Sequence, residues 1–153
     1  MEFQGNVEFA APREVVWKII RDPATVAKAM PDFRDLVVTS PTSFTGSAKV
    51  GVSVIRGNFR FQFQIEEENP GSFLRLAARG RGIGSSVDIQ TRVTLADGGS
   101  PAVTRMEWKA NAQVGGALAG IAQRLLDQAA DRTVRDIFAN LSRLVREGTA
   151  AGP

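Results

Sequence analysis

Cysteine, histidine and tyrosine are all absent from this 153-residue chain. The first absence excludes disulfides, thiol nucleophiles and thiolate-bound metals. The second removes imidazole as a metal ligand and as the usual proton carrier near neutral pH. Catalysis would fall to Asp, Glu, Lys, Ser or Thr alone, so no catalytic residue and no metal site is expected. No run of eighteen apolar residues occurs, and no membrane-spanning helix is expected. Met1-Glu2-Phe3-Gln4-Gly5 has neither the basic nor the apolar part of a signal peptide, so the chain reads as cytoplasmic. Its 19 basic and 16 acidic residues leave a formal charge of +3. So small an excess, with no dense basic stripe interleaved with aromatics, gives no reason to expect nucleic acid.

What is present suits a single α+β domain over residues 1–147, with 148–153 as a flexible tail. Phe3, Gly5, Val7 and Phe9 alternate with Glu2, Gln4, Asn6 and Glu8, the pattern of a strand with one wet face. Pro12 opens a short apolar helix through Val15, Val16, Ile19 and Ile20. Asp22 stops it and caps a second short helix to Ala29, which Met30-Pro31 closes. Hairpins follow, with strands near Arg34–Ser40, Phe44–Val54, Phe59–Ile65, Leu74–Ala78, Val87–Leu95 and Met106–Val114. Each alternates apolar with polar residues, as antiparallel strands wet on one side do. After Val114-Gly115-Gly116 the period changes. From Ala117 to Val145 there is no proline and only Gly120, and apolar residues recur at three- and four-residue spacing. One long helix from Ala117 is expected, its apolar stripe drifting from Leu125 towards Leu126, Ala130 and Val134, with a curved sheet wrapped around it.

In a meander, alternate turns fall at opposite ends of the sheet. The turns at Arg56 and Gly82 and the Val114–Gly116 junction therefore share one glycine-rich end, with Ile55 and Ile83 on loop tips beside Arg56 and Arg81. Small residues at the helix head (Gly116, Ala117, Ala119, Gly120, Ala122) cannot fill the space beneath them. Two readings follow. One is an apolar pocket lined by Phe61, Phe63, Ile89, Val93, Met106, Trp108, Leu118 and Leu125, with Thr91 and Ala122 beside them. Ile55, Arg56, Gly82, Ile83, Gly115 and Gly116 would form its mouth, where basic residues next to apolar tips also suit transient contact with anionic lipid. The other is a solid core made of the same side chains.

These residues resemble a known family, the G-subunit family of carbon monoxide dehydrogenase, within the START-like (SRPBCC) superfamily. The matching pieces are Phe3–Phe9 with Ala11-Pro12-Arg13-Glu14-Val15-Val16-Trp17, then Asp22-Pro23, Met30-Pro31-Asp32 and Gly80-Arg81-Gly82-Ile83-Gly84. Most specific is Val114-Gly115-Gly116-Ala117-Leu118-Ala119, continued by Gln123-Arg124-Leu125-Leu126 and Phe138-Ala139-Asn140-Leu141. Asp32 stands where the family pattern has glycine. The resemblance implies a helix-grip fold: a curved antiparallel sheet of about seven strands wrapped around a long C-terminal helix, with two short helices after the first strand. It also implies binding, not catalysis, with no cofactor beyond a bound quinone or lipid. Family members look like accessory factors that link molybdenum hydroxylases to the membrane or its quinone pool. Some relatives continue into a hydrophobic anchor; this chain stops at Pro153, and only peripheral contact with the inner face of the cell membrane is expected.

Other features could carry chemistry. Glu66-Glu67-Glu68 lies at a strand end and reads as a solvated edge. Asp127 and Asp131 are four apart, but Asp131 also lies four before Arg135, which favours an ion-paired helix face over a cation site. Gly80–Gly84 joins two strands and opens no helix, so it is no phosphate loop. Arg60, Arg75, Arg79 and Arg92 fall on the wet face of the sheet, a soluble surface or one that docks an acidic partner. Two alternatives to a carrier stay open: a small cyclase- or hydrolase-type enzyme acting on an apolar substrate, and an assembly partner with no ligand.

Overall fold

The computed structural model describes the backbone of residues 1–151 and the side chains of residues 1–148. Among these, β1 (Glu2–Phe9), β2 (Phe33–Ser40), β3 (Ser43–Val52), β4 (Ile55–Asn69), β5 (Phe73–Gly82), β6 (Ser85–Asp97) and β7 (Thr104–Gly116) form one antiparallel sheet. Its order is β1-β7-β6-β5-β4-β3-β2, so first strand and last lie side by side and β1 and β2 are the edges. Between β1 and β2 come α1 (Arg13–Arg21) and α2 (Pro23–Ala29), and the chain ends in α3 (Gln123–Ala151). The α+β, helix-grip architecture expected from the sequence is the one observed.

Local chemistry sets the joints. The Asp22 carboxylate accepts from the Ala24 amide at 3.0 Å and Pro23 occupies the first turn, which together start α2. Asn140 Nδ2 donates to the Ala29 carbonyl at 2.9 Å, so α3 closes the end of α2. Arg21 pairs with Glu68 at 3.0 Å and ties α1 to β4; Glu67, past a bulge, meets Arg75 at 3.4 Å. Thr104 is fully buried because its hydroxyl donates to the Ala11 carbonyl at 2.7 Å. Asp32 takes φ +55, the left-handed conformation that glycine adopts freely and that aspartate tolerates.

Large rings lie on the sheet where the opposite residue is glycine. Phe61 sits between Gly46 on β3 and Gly80 on β5, its direct partners in register. Trp108 is opposite Gly5, and a Cβ there would come within 2.9 Å of the indole Nε1. Gly46 also lies beneath the Phe33 ring. Phe44 and Phe63 stack at 4.6 Å, and Phe33 meets Phe63 edge-on at 5.9 Å. The rings of Phe33, Phe44, Phe61 and Phe63 form one core with Phe59, Leu118 and Leu126. A second core joins Phe9, Leu95 and Met106 to Val16 of α1 and to Leu141 and Val145 of α3.

The last helix does not begin at Ala117. Gly116 takes φ +67, and a Cβ there would strike the Gly84 carbonyl oxygen. Ala117 N donates to that same oxygen at 3.0 Å, and Leu118 N donates to Ser85 Oγ at 3.2 Å. Bonds to the β5–β6 hairpin thus hold the chain in a 3-10 turn, Ala117–Gly120; Ile121 is extended, and α3 starts at Gln123. Of the expected tail, the backbone to Ala151 is helical; side chains from 149 on and residues 152 and 153 lie outside the described residues.

Gly46→Ala should cost about 2 kcal/mol, because its Cβ would overlap the Phe33 ring and force that ring off Phe63. Gly120→Ala, which meets nothing within 4 Å, should change stability by less than about 0.5 kcal/mol. Urea midpoints of the two variants check both values.

Candidate functional site

The inner face of the sheet is filled on β3, β4 and β5 and again at the α1 end of β1, β6 and β7, and is open only between these two cores. On β3, β4 and β5 it is filled: Phe59 is 0%, Leu118 1% and Phe61 8% exposed, with Phe63 buried beside them. Leu118, reaching down from the 3-10 turn, occupies the volume that the small residues around it leave vacant. On β6, β7 and β1 the inner residues Ile89, Thr91, Val93, Trp108, Ala110 and Phe3 stay half-buried although they face α3. There an open groove of about 540 Å³ runs between the β1 edge and the middle of α3. Phe3, Trp108 and Val134 make its apolar walls; Glu2, Gln4, Asp131 and Arg135 stand around it.

The sixteen residues expected at the site are therefore dispersed. Phe61, Phe63, Met106 and Leu118 are buried in the two cores. Ile89, Thr91, Val93 and Leu125 are half-buried, and Ala122 is exposed before the helix start. Of the expected lining, Trp108 borders the groove; its indole packs on Phe138 at 5.5 Å. The sequence places Phe3 on the first strand, Val134 in the helix stripe and Arg135 on an ion-paired face, and none of them at the expected site. The drift of the apolar stripe towards Val134 was the signal for them, since it turns mid-helix towards another strand.

The expected mouth is a cluster of hairpin tips. Gly82 and Gly115 are half-buried and Gly116 exposed at the strand ends, and Ile55 packs against the phenylalanine core. Val54, counted by alternation with the inner face of β3, is instead 84% exposed in the two-residue loop between β3 and β4. Ile83 is 44% exposed and reaches over Gly57. It takes φ +53 and Gly84 φ +62, the pattern of a type I′ turn that favours Asn-Gly and strains a β-branched residue. Arg56 is exposed and donates to the Ser53 carbonyl at 3.2 Å, while Arg81 binds Asp88 at 2.8 Å. So two strained tips present aliphatic side chains next to cations.

No ion pair joins Asp131 to Arg135 among the described residues; the i,i+4 pair on α3 is Arg143–Glu147, at 4.0 Å. Asp127 accepts instead from Gln123 Nε2 at 2.9 Å. Among the described residues the Arg135 side chain has no ion-pair or hydrogen-bond partner, and it stands at the groove. No described helix is long and apolar enough to cross a membrane.

A long helix held against the inner face of a seven-stranded antiparallel sheet, with two short helices after the first strand, defines a helix-grip domain. The model of the carbon monoxide dehydrogenase G-subunit (CoxG) family matches residues 5–146, and the chain belongs to that family. No curated protein sequence matches it significantly. Among solved structures, a conserved protein from Geobacillus kaustophilus superposes with a TM-score of 0.88 at 20% identity, covering 96% of each chain. A START superfamily protein from Mycobacterium smegmatis gives 0.76 at 12% identity, over 95% of this chain and 97% of that one. The Zhui aromatase/cyclase from Streptomyces sp. R1128 gives 0.71 at 13% identity, over 100% and 99%. At these identities the likeness is one of fold.

Leu118→Ala should cost about 3 kcal/mol in denaturant unfolding, the value for a packed leucine; a cost below about 1 kcal/mol would mean that open space adjoins it. Ile83→Asn, which supplies the turn's preferred residue, should stabilise the protein by about 0.5–1 kcal/mol. Thermal unfolding measures the second effect.

Proposed function

We propose that this protein binds an apolar, ring-bearing molecule of the quinone or lipid type without transforming it, as an accessory factor of a carbon monoxide dehydrogenase-type molybdenum hydroxylase. The observation that carries this reading is the groove between β1 and α3, left open while the phenylalanine half of the same face is packed solid. Its volume of about 540 Å³ suits a ring with a short chain. Phe3, Trp108 and Val134 supply apolar contact, worth about 25 cal/mol for each Å² withdrawn from water. Arg135 supplies donors for a carbonyl. Family membership supports the partnership with a dehydrogenase. The exposed Val54 and Ile83, with Arg56 beside them, support brief seating on an anionic bilayer from which such cargo is drawn.

Titration of the delipidated protein with a short-chain quinone, followed by quenching of Trp108 emission in a Trp17→Phe background, tests the reading. Saturable quenching that Val134→Phe, which fills the groove without adding a fluorophore, weakens at least tenfold is expected. Absence of saturable quenching, or quenching untouched by filling the groove, would refute it.

A further inference from the structure

The opposite, outward face of the sheet carries an arrangement that quinone or lipid binding does not use. Strand register sets Glu67, Arg75, Arg92, Lys109 and Gln4 directly opposite one another across β4, β5, β6, β7 and β1. Three cations thus stand side by side on adjacent strands. At about 4.8 Å per strand the outer two are about 10 Å apart at the backbone. Like charges directly opposite one another destabilise a sheet, so the row has an energetic cost in the free protein. Only Arg75 is answered by a carboxylate, Glu67 at 3.4 Å, and its Nε is buried with no hydrogen-bond partner. Arg92 lies over the Phe73 ring, 5.7 Å from its centre, and neither it nor Lys109 has an ion-pair partner among the described residues.

Elsewhere on this face Arg81 binds Asp88 at 2.8 Å, while Arg60 and Arg79, also without an ion-pair partner among the described residues, lie outside the trough that Arg92 and Lys109 border. That trough is open, about 720 Å³, with Gln4 in the same row and Thr94 and Asn6 in the next to offer hydrogen bonds. Glu107 also enters the trough, but its carboxylate faces Arg105 at 3.6 Å.

The geometry points to a binding site for a small polyphosphate-bearing molecule in this trough. A single phosphate reaches two neighbouring cations; a chain of two or three phosphates spans the row and supplies the negative charge that the fold leaves out. Charge-assisted bonds from Arg92 and Lys109 hold the anion, Gln4, Thr94 and Asn6 complete its hydrogen bonding, and the trough is of small-molecule size.

Calorimetric titration of the full chain at low ionic strength, with sodium tripolyphosphate, pyrophosphate and ADP as probes, tests this. Saturable binding is expected, weakened about tenfold or more by Arg92→Ala with Lys109→Ala. The pair Arg60→Ala with Arg79→Ala removes equal charge from the same face outside the trough and should leave affinity unchanged. ADP binding tighter than pyrophosphate would make a nucleotide the source of the phosphates; equal binding would make it the phosphate chain itself. Because the row is self-repelling, Arg92→Gln should unfold no earlier than the parent protein on its own, yet lose the rise in Tm that tripolyphosphate produces. No saturable binding of any probe, equal weakening in the control pair, or a retained rise in Arg92→Gln would overturn the proposal.

Discussion

The structure depends on aromatic rings lying across glycines on one face of a twisted sheet. Phe61 has glycine on both neighbouring strands, Phe33 covers Gly46, and Trp108 covers Gly5. A glycine in a strand lacks a side chain to pack, and a ring from the next strand supplies the missing surface. The exchange gives each ring a flat seat, so that phenylalanines can tile the sheet and stack on one another. Only then is the layer thin enough for one helix and one 3-10 turn to close it.

That tiling is uneven, and the candidate groove follows from the unevenness. β3, β4 and β5 carry Phe44, Phe59, Phe61 and Phe63 inward, and they meet Leu118 with no room left. The middle of β6, β7 and β1 carries smaller residues inward, Val93, Thr91, Ala110 and Gly5, around the indole of Trp108 and the Phe3 ring. The last helix meets the first half through Leu126 and the far end of the second through Leu141 and Val145, and between these contacts the second half is left partly uncovered. Open space appears at the β1 edge, where no further strand closes the sheet.

Alternation revealed the seven strands, and Pro12, Asp22-Pro23 and Met30-Pro31 revealed the short helices, because those signals are local. The start of the last helix was not legible. Ala117, Leu118 and Ala119 are good helix formers, and what overrides them is a hydrogen bond from Leu118 to Ser85, 33 positions away. The position of the groove was hidden for a related reason. Alternation tells which face a residue takes, and it assigned Phe61 and Trp108 alike to the inner one. Depth is set by where α3 lies, so the first is sealed and the second borders open space. The tips were half legible: Ile83 was found from parity, whereas Val54 was counted with the strand because its turn, led by Ser53 at φ +55, bears no glycine or asparagine.

The central claim is that apolar cargo enters beside β1 and not beneath the turn at Leu118. Amide and indole chemical-shift mapping of the labelled protein during titration with a short-chain quinone tests it most directly. The account predicts shifts at Phe3, the Trp108 indole and Val134, with Leu118, Phe61 and Phe63 unmoved. Shifts centred on Leu118 and the phenylalanine core would contradict it.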